Sequence, residues 1–342
     1  MKKIRLGKTE LMVTKTSMGC LPVQRRSLED GAKLIRAAYE GGINFFDTAN
    51  AYTDSEQKIG IALHDVRDKV VIATKSMGRN RDTVLAHIEN SLKMLQTDHV
   101  DLFQLHMLLE MPAFDDPDSD YAGALEAQRR GWVRHIGATT HRVNLAEQLI
   151  DSGRFETLQF PFSYISTDRD IALAEKCARA DMGFLAMKGL AGGLLTNARA
   201  CHAFMKQYPN VLCIWGIQRM EELQEWLSAA EEDPDLDEEL SAVIRADRQQ
   251  LAGNFCRGCG YCMPCPVDIE INNAARMNMF LRRAPWRQYY SPQWREKMNR
   301  INDCLECRQC AEKCPYELDT PNILKYMLKD WQQFYEDHKA EL

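Results

Sequence analysis

Over the first 230 residues, short apolar runs alternate with helix-forming stretches, and this alternation constrains the fold more than any other feature. Residues 43–46 precede a helical stretch over Ser55–Leu63. Residues 70–73 precede 83–95, and 100–105 lead through a loop to 121–130. Further runs at 133–138, 156–160, 184–187 and 211–214 each have a helical partner after them. Repeated strand–helix units predict a parallel sheet with helices outside it. With residues 16–20 as the first strand, the count is eight. Eight units close a barrel, whereas doubly wound sheets usually have fewer strands. The expected fold is therefore a (β/α)₈ TIM barrel. The first helix carries its own punctuation: Ser27 as N-cap, a stripe of Leu28, Leu34, Ile35 and Ala38, then Gly41-Gly42 as stop. Residues 4–13, with Gly7-Lys8-Thr9 inside, read as a hairpin placed to plug the barrel floor.

The acidic, proline-broken stretch Glu231-Glu232-Asp233-Pro234-Asp235 reads as a boundary. The expected division is a barrel over 1–230, an acidic linker and helix over 231–253, and a small, mainly helical domain over 254–342. The formal charge of −6 argues against nucleic acid as a partner. No apolar run approaches the roughly 20 residues that span a bilayer, so no membrane partner is expected. The N-terminus lacks a long apolar run of the signal-peptide kind, which makes the cytoplasm the expected location.

Eight of the twelve cysteines fall in two dense runs. Cys256, Cys259, Cys262 and Cys265 are spaced by two residues each, with Pro266 after them. Cys304, Cys307, Cys310 and Cys314 follow C-x₂-C-x₂-C-x₃-C, with Pro315 after them. The second run is the bacterial ferredoxin pattern, in which the last cysteine ligates the other cluster. Zinc ribbons usually separate two C-x₂-C pairs by a longer loop, so the spacing favours two [4Fe-4S] clusters in a ferredoxin-like domain. By that pattern Cys256, Cys259, Cys262 and Cys314 hold one cluster, and Cys304, Cys307, Cys310 and Cys265 the other. The first run is one residue short at its last gap, which leaves open whether Cys265 crosses over or stays local. Between the runs, Arg276, Arg282, Arg283, Arg287, Arg295, Lys297 and Arg300 are interleaved with Trp286, Tyr289, Tyr290 and Trp294. These cations are expected to offset cluster charge while the aromatics pack nearby. The alternative is a docking face for an electron carrier of the ferredoxin type.

Three motifs in order resemble the aldo-keto reductase family: Asn44-Phe45-Phe46-Asp47-Thr48-Ala49-Asn50-Ala51-Tyr52, Ala73-Thr74-Lys75, and Asp101-Leu102-Phe103-Gln104-Leu105-His106. The resemblance covers about residues 4 to 228. It implies a catalytic tetrad of Asp47, Tyr52, Lys75 and His106. The chemistry agrees. Each residue ends or follows an expected strand, where barrel enzymes place their sites. Reduction of a carbonyl needs a proton donor, and a phenol of pKa about 10 needs tuning. Lys75 is expected to lower the Tyr52 pKa, Asp47 to hold Lys75, and His106 to orient the carbonyl oxygen.

The resemblance also implies NADP or NAD as cofactor. The contacts it implies are Gly19, Thr139, Thr140, Gln159, Lys188, Gly189, Leu190, Gly192, Gln218, Arg219 and Glu225. Thr139-Thr140 stands where the family usually has Ser-Asn, and Trp226 where Asn is common. The expected activity is hydride transfer between NAD(P)H and a small carbonyl or sugar-derived substrate, with the clusters structural or electron-relaying. The alternative is a ferredoxin-linked electron-transfer protein whose barrel binds substrate without hydride chemistry.

Overall fold

The computed structural model describes residues 1–251, 255–283 (Arg283 by its backbone) and 286–341. The expected start of the iron–sulfur segment at 254 and the side chain of Arg283 lie outside the described residues.

Strands β1 (Lys3–Arg5) and β2 (Met12–Thr14) form an antiparallel hairpin with Lys3 opposite Thr14. Eight parallel strands then close a barrel: β3 (Thr16–Gly19), β4 (Phe45–Asp47), β5 (Val71–Ser76), β6 (Val100–Leu105), β7 (Val133–Thr139), β8 (Thr157–Pro161), β9 (Gly183–Met187) and β10 (Val211–Gly216). Each barrel strand is followed by a helix: α1 (Leu28–Glu40), α2 (Ser55–Leu63), α3 (Arg81–Leu95), α4 (Asp120–Arg129), α5 (Val143–Asp151), α6 (Asp168–Arg179), α7 (Ala198–Lys206) and α8 (Met220–Glu232). Pairing of β10 with β3, from Cys213 with Thr16 to Gly216 with Gly19, seals the ring. The hairpin plugs it: Ile4, Leu6 and Val13 share one buried cluster with Phe45, Val71, Leu102, Leu185, Leu212 and Ile214.

Local chemistry accounts for the helix starts. The Ser27 hydroxyl accepts from the Asp30 N–H at 3.1 Å, and Asn80 and Ser119 cap α3 and α4 in the same way. Leu28, expected in the α1 stripe, is exposed, because a first-turn residue sits ahead of the face that packs Leu34, Ile35 and Ala38 on the barrel.

Two compact units are distinguished by contacts: residues 1–190 with 197–245, and residues 191–196 with 246–342. Helix α9 (Glu238–Gln250) runs through the division. The second unit contains α10 (Ile271–Ala274), α11 (Met277–Arg283), α12 (Pro292–Asn299), α13 (Gln309–Glu312) and α14 (Thr320–His338). Its own core joins Ile269, Met277, Met298, Leu324 and Trp331, with Trp286, Tyr289 and Trp294 packed against it. Four of the seven cations between the cysteine runs are paired with carboxylates. Arg282 pairs with Asp330, Arg287 with Glu341, Lys297 with Glu270 and Arg300 with Glu296. Nearby carboxylates in α14 and the C-terminal residues, outside the stretch between the cysteine runs, supply two of these partners. No helix among the described residues is long and apolar enough to cross a membrane.

Candidate functional site

Parallel register brings the family-like residues to one end of the barrel. Asp47 pairs across to Ala73, Lys75 to Gln104, and Thr139 to Gln159. The Lys75 ammonium reaches both Asp47 oxygens, at 2.8 and 2.9 Å, and donates to the Thr48 carbonyl. Both members of the pair are buried. Burial resists the charge on Lys75, but Asp47, Tyr52 and Cys20 outweigh it and hold the ammonium above its ordinary pKa. The ammonium lies 5.3 Å from the centre of the Tyr52 ring. The His106 ring meets Tyr52 edge-on at 5.9 Å.

One expectation is corrected here. Burial raises the Tyr52 pKa by more than Lys75 lowers it, so the phenol stays a phenol. The low dielectric that strengthens the Lys75 field also penalises the phenolate, and the penalty is the larger effect. His106 is pushed down to about 3 by burial, with Lys75 and Arg79 adding to it, so its imidazole is neutral. Its Nδ1 is buried without a hydrogen-bond partner.

Two contributors were not singled out in the sequence. Arg79 donates to the carbonyls of His106 and Met107, both at 3.0 Å, and pins the turn in which Met107 takes φ +59°. A lone arginine in a loop carries no sequence signal. Gln104 donates to the Gln159 carbonyl oxygen at 2.7 Å, which leaves the Gln159 amide to donate toward Asp47. Gln104 did carry a signal, as a polar residue within an apolar strand two positions before His106.

The cofactor contacts implied by the resemblance lie at several places. Gly19 ends β3, and a side chain there would collide with Ile214. The Thr139 hydroxyl accepts from the Met107 N–H at 2.7 Å, and the Thr140 hydroxyl donates to the Leu108 carbonyl at 3.0 Å. Lys188, Gly189 and Leu190 follow β9, while Gly192 groups with the second unit. Gly189 abuts the ring of Trp215, which stacks on Trp226 at 4.2 Å. Gln218 accepts from Arg25 at 3.3 Å, Arg219 is paired with Glu222 at 2.8 Å, and Glu225 is exposed on α8. The polar atoms left over at the strand ends, Gln104 Oε1 and His106 Nδ1, fit a ligand that brings hydrogen-bond donors.

In the second unit the cysteines form two groups. Cys256, Cys259, Cys262 and Cys314 line one pocket. Cys265, Cys304, Cys307 and Cys310 line another, to which Cys262 also contributes. Cys265 thus stands with the second run and Cys314 with the first. Among the described residues no three Cys, His, Asp or Glu side chains converge tightly enough for a single metal ion. Thiols spread around a cavity fit a cluster, whose irons stand between them. Burial pushes the Cys256 thiol up, and pushes Cys262 up to about 12. The four remaining cysteines, Cys20, Cys177, Cys201 and Cys213, are buried in the barrel unit.

Comparison with known proteins agrees with this geometry. The family model described as "Aldo/keto reductase family" matches residues 17–236, and "4Fe-4S dicluster domain" matches residues 255–319. The chain is 29% identical over 181 residues to aldo-keto reductase YhdN of Bacillus subtilis, covering 48% of this chain and 53% of that protein. It is 32% identical over 134 residues to methylglyoxal reductase DkgA of Escherichia coli O157:H7, covering 38% and 48%. The chain spans about half the length of these curated relatives. In fold it resembles an aldo-keto reductase from Klebsiella pneumoniae in complex with NADPH, with a TM-score of 0.61 at 21% identity, covering 72% of this chain and 94% of that one. A closed eightfold barrel with the Asp47, Tyr52, Lys75 and His106 motifs at one end, and a family match across most of that barrel, make this chain a member of the aldo/keto reductase family that carries a C-terminal 4Fe-4S dicluster domain.

Proposed function

We propose that the barrel catalyses reversible hydride transfer between NAD(P)H and a small carbonyl compound, an aldehyde, ketone or sugar-derived carbonyl. One observation carries this reading: the buried Lys75–Asp47 pair beside a Tyr52 ring that also faces a neutral His106. Nicotinamide, when bound, supplies or accepts the hydride. In reduction Tyr52 gives its proton to the carbonyl oxygen as negative charge develops there. Lys75 stabilises the phenolate left behind, and Asp47 keeps the ammonium charged and aimed. His106, neutral, offers an N–H to the same oxygen without adding a competing charge. In oxidation Tyr52 is the base.

Gly19, Thr139, Thr140, Gln159, Lys188, Gly189, Leu190, Gly192, Gln218, Arg219 and Glu225 are the proposed contacts to the dinucleotide. The NADPH bound by the Klebsiella reductase supports NADP as the first cofactor to test. Two [4Fe-4S] clusters are proposed, one on Cys256, Cys259, Cys262 and Cys314, the other on Cys265, Cys304, Cys307 and Cys310. Clusters, when present, supply single-electron transfer. The proposed location is the cytoplasm.

A second reading has one observation in its favour. Cys307 is exposed, which puts the second cysteine group within reach of an external electron carrier. In that reading reduced ferredoxin drives the barrel chemistry. Anaerobic assays of the iron-loaded protein with an aldehyde panel separate the two. Turnover with NADPH or NADH supports hydride transfer. Turnover with reduced ferredoxin alone overturns it.

A further inference from the structure

Residues 191–196 follow barrel strand β9 in sequence but group with the second unit. Their backbone is unusual: Ala191, Gly192 and Gly193 take φ of 47°, 75° and 94°. The two glycines take such angles freely, but Ala191 does not, so packing has to hold that residue. The segment packs against Arg276. A Cβ placed on Gly192 would fall 2.5 Å from the Arg276 guanidinium. The same guanidinium meets the first cysteine loop, where a Cβ on Gly258 would fall 2.7 Å from its central carbon. The Gly258 N–H donates to the Cys256 sulfur at 3.3 Å. Arg276 is itself buried, its Nε donating to the Asn272 carbonyl at 2.9 Å and its guanidinium lying 4.9 Å over the Phe280 ring. One cation therefore fills the gap between two glycines, one beside a cluster ligand and the other in the segment that leaves β9.

We infer that Arg276 is a positioning residue that ties the cluster on Cys256, Cys259, Cys262 and Cys314 to residues 191–193, so that the potential of that cluster and the conformation of that segment depend on each other. A fixed buried cation stabilises the more negative, reduced cluster and raises its potential. Movement of 191–193 shifts the guanidinium and hence the potential. By linkage, charging the cluster shifts the segment in return. The coupling lies within the second unit and rests only on iron loading.

The test is an anaerobic redox titration of the full chain, followed by electron paramagnetic resonance, on wild type, Arg276→Gln, Arg276→Lys and Gly192→Ala. Arg276→Gln and Gly192→Ala are expected to lower the potential of one cluster and leave the other in place. Arg276→Lys is expected to recover part of the shift. Gly192 is remote in sequence from the eight cluster cysteines, so Gly192→Ala decides the matter alone if Arg276→Gln fails to hold iron. Unchanged potentials in iron-replete Gly192→Ala overturn the inference. No dinucleotide or carbonyl enters the titration, so its outcome is independent of the hydride-transfer reading.

Discussion

At Tyr52 two opposing effects meet, and their balance decides what the residue can do. Lys75 favours the phenolate and burial favours the phenol, and burial wins. The acid form needed for reduction therefore persists across the neutral range. Burial, with Lys75 and Arg79, pushes His106 down to about 3, so it is neutral over the same range. The expected kcat/KM for reduction is accordingly flat from about pH 5 to about pH 9, because neither group changes charge there. An inflection near pH 6.5 in that profile would show that His106 ionises during the reaction and would count against the assigned roles. The Lys75–Asp47 pair makes a second prediction at this scale. Lys75→Met leaves a buried carboxylate unpaired and is expected to cost about 3–5 kcal/mol in denaturant unfolding. Adding Asp47→Asn should restore much of that loss. No recovery in the double variant would mean that the pair is not the coupled unit described here.

At the scale of elements, what was legible was local. Ser27, the apolar spacing of α1 and the Gly41-Gly42 stop gave that helix directly, and the motifs around Asp47, Lys75 and His106 placed three residues on three strand ends. What was not legible depends on partners distant in the chain. β10 runs on to Gly216 because it pairs with β3 to close the ring. The apolar run alone suggested an end at 214. The place of Cys265 was open because spacing does not reveal which cavity a loop turns toward. Arg276 stood out only as one cation among seven, since its contact with Gly192 is a meeting of distant segments. Close approach of helices gives a prediction here. A Cβ on Gly60 of α2 would fall 2.4 Å from the Met94 carbonyl at the end of α3, a backbone atom that cannot swing aside. Gly60→Ala is expected to destabilise the barrel by about 1–3 kcal/mol despite the better helix propensity of alanine. A neutral or stabilising effect on its melting transition would mean the two helices are not pressed together in this way.

At the scale of the whole molecule, each unit has its own core but the two depend on different chemistry. The barrel closes on itself through hydrogen bonds and apolar packing. The core of the second unit contains Cys256 and is packed by Cys262, Cys265, Cys304, Cys310 and Cys314, so its order depends on what the thiols hold. Burial pushes the Cys256, Cys262 and Cys310 thiols up, so binding iron must displace their protons, and a core lined by the ligands ties cluster binding to folding. Chelation of iron is expected to remove hydrogen-exchange protection from residues 255–341 while strands β3 to β10 keep theirs. Retained protection throughout 255–341 after full iron removal would contradict that dependence.

The account turns on proton transfer by one phenol, and a single comparison addresses it. Wild type and Tyr52→Phe, matched for iron content, are mixed anaerobically with NADPH or NADH and a reducible aldehyde, and the nicotinamide absorbance is followed through one turnover. The expected result is a burst of oxidation in wild type that falls by about 10²–10⁴-fold in Tyr52→Phe, the range typical of a lost general acid. Equal rates in the two proteins would contradict the assignment of Tyr52.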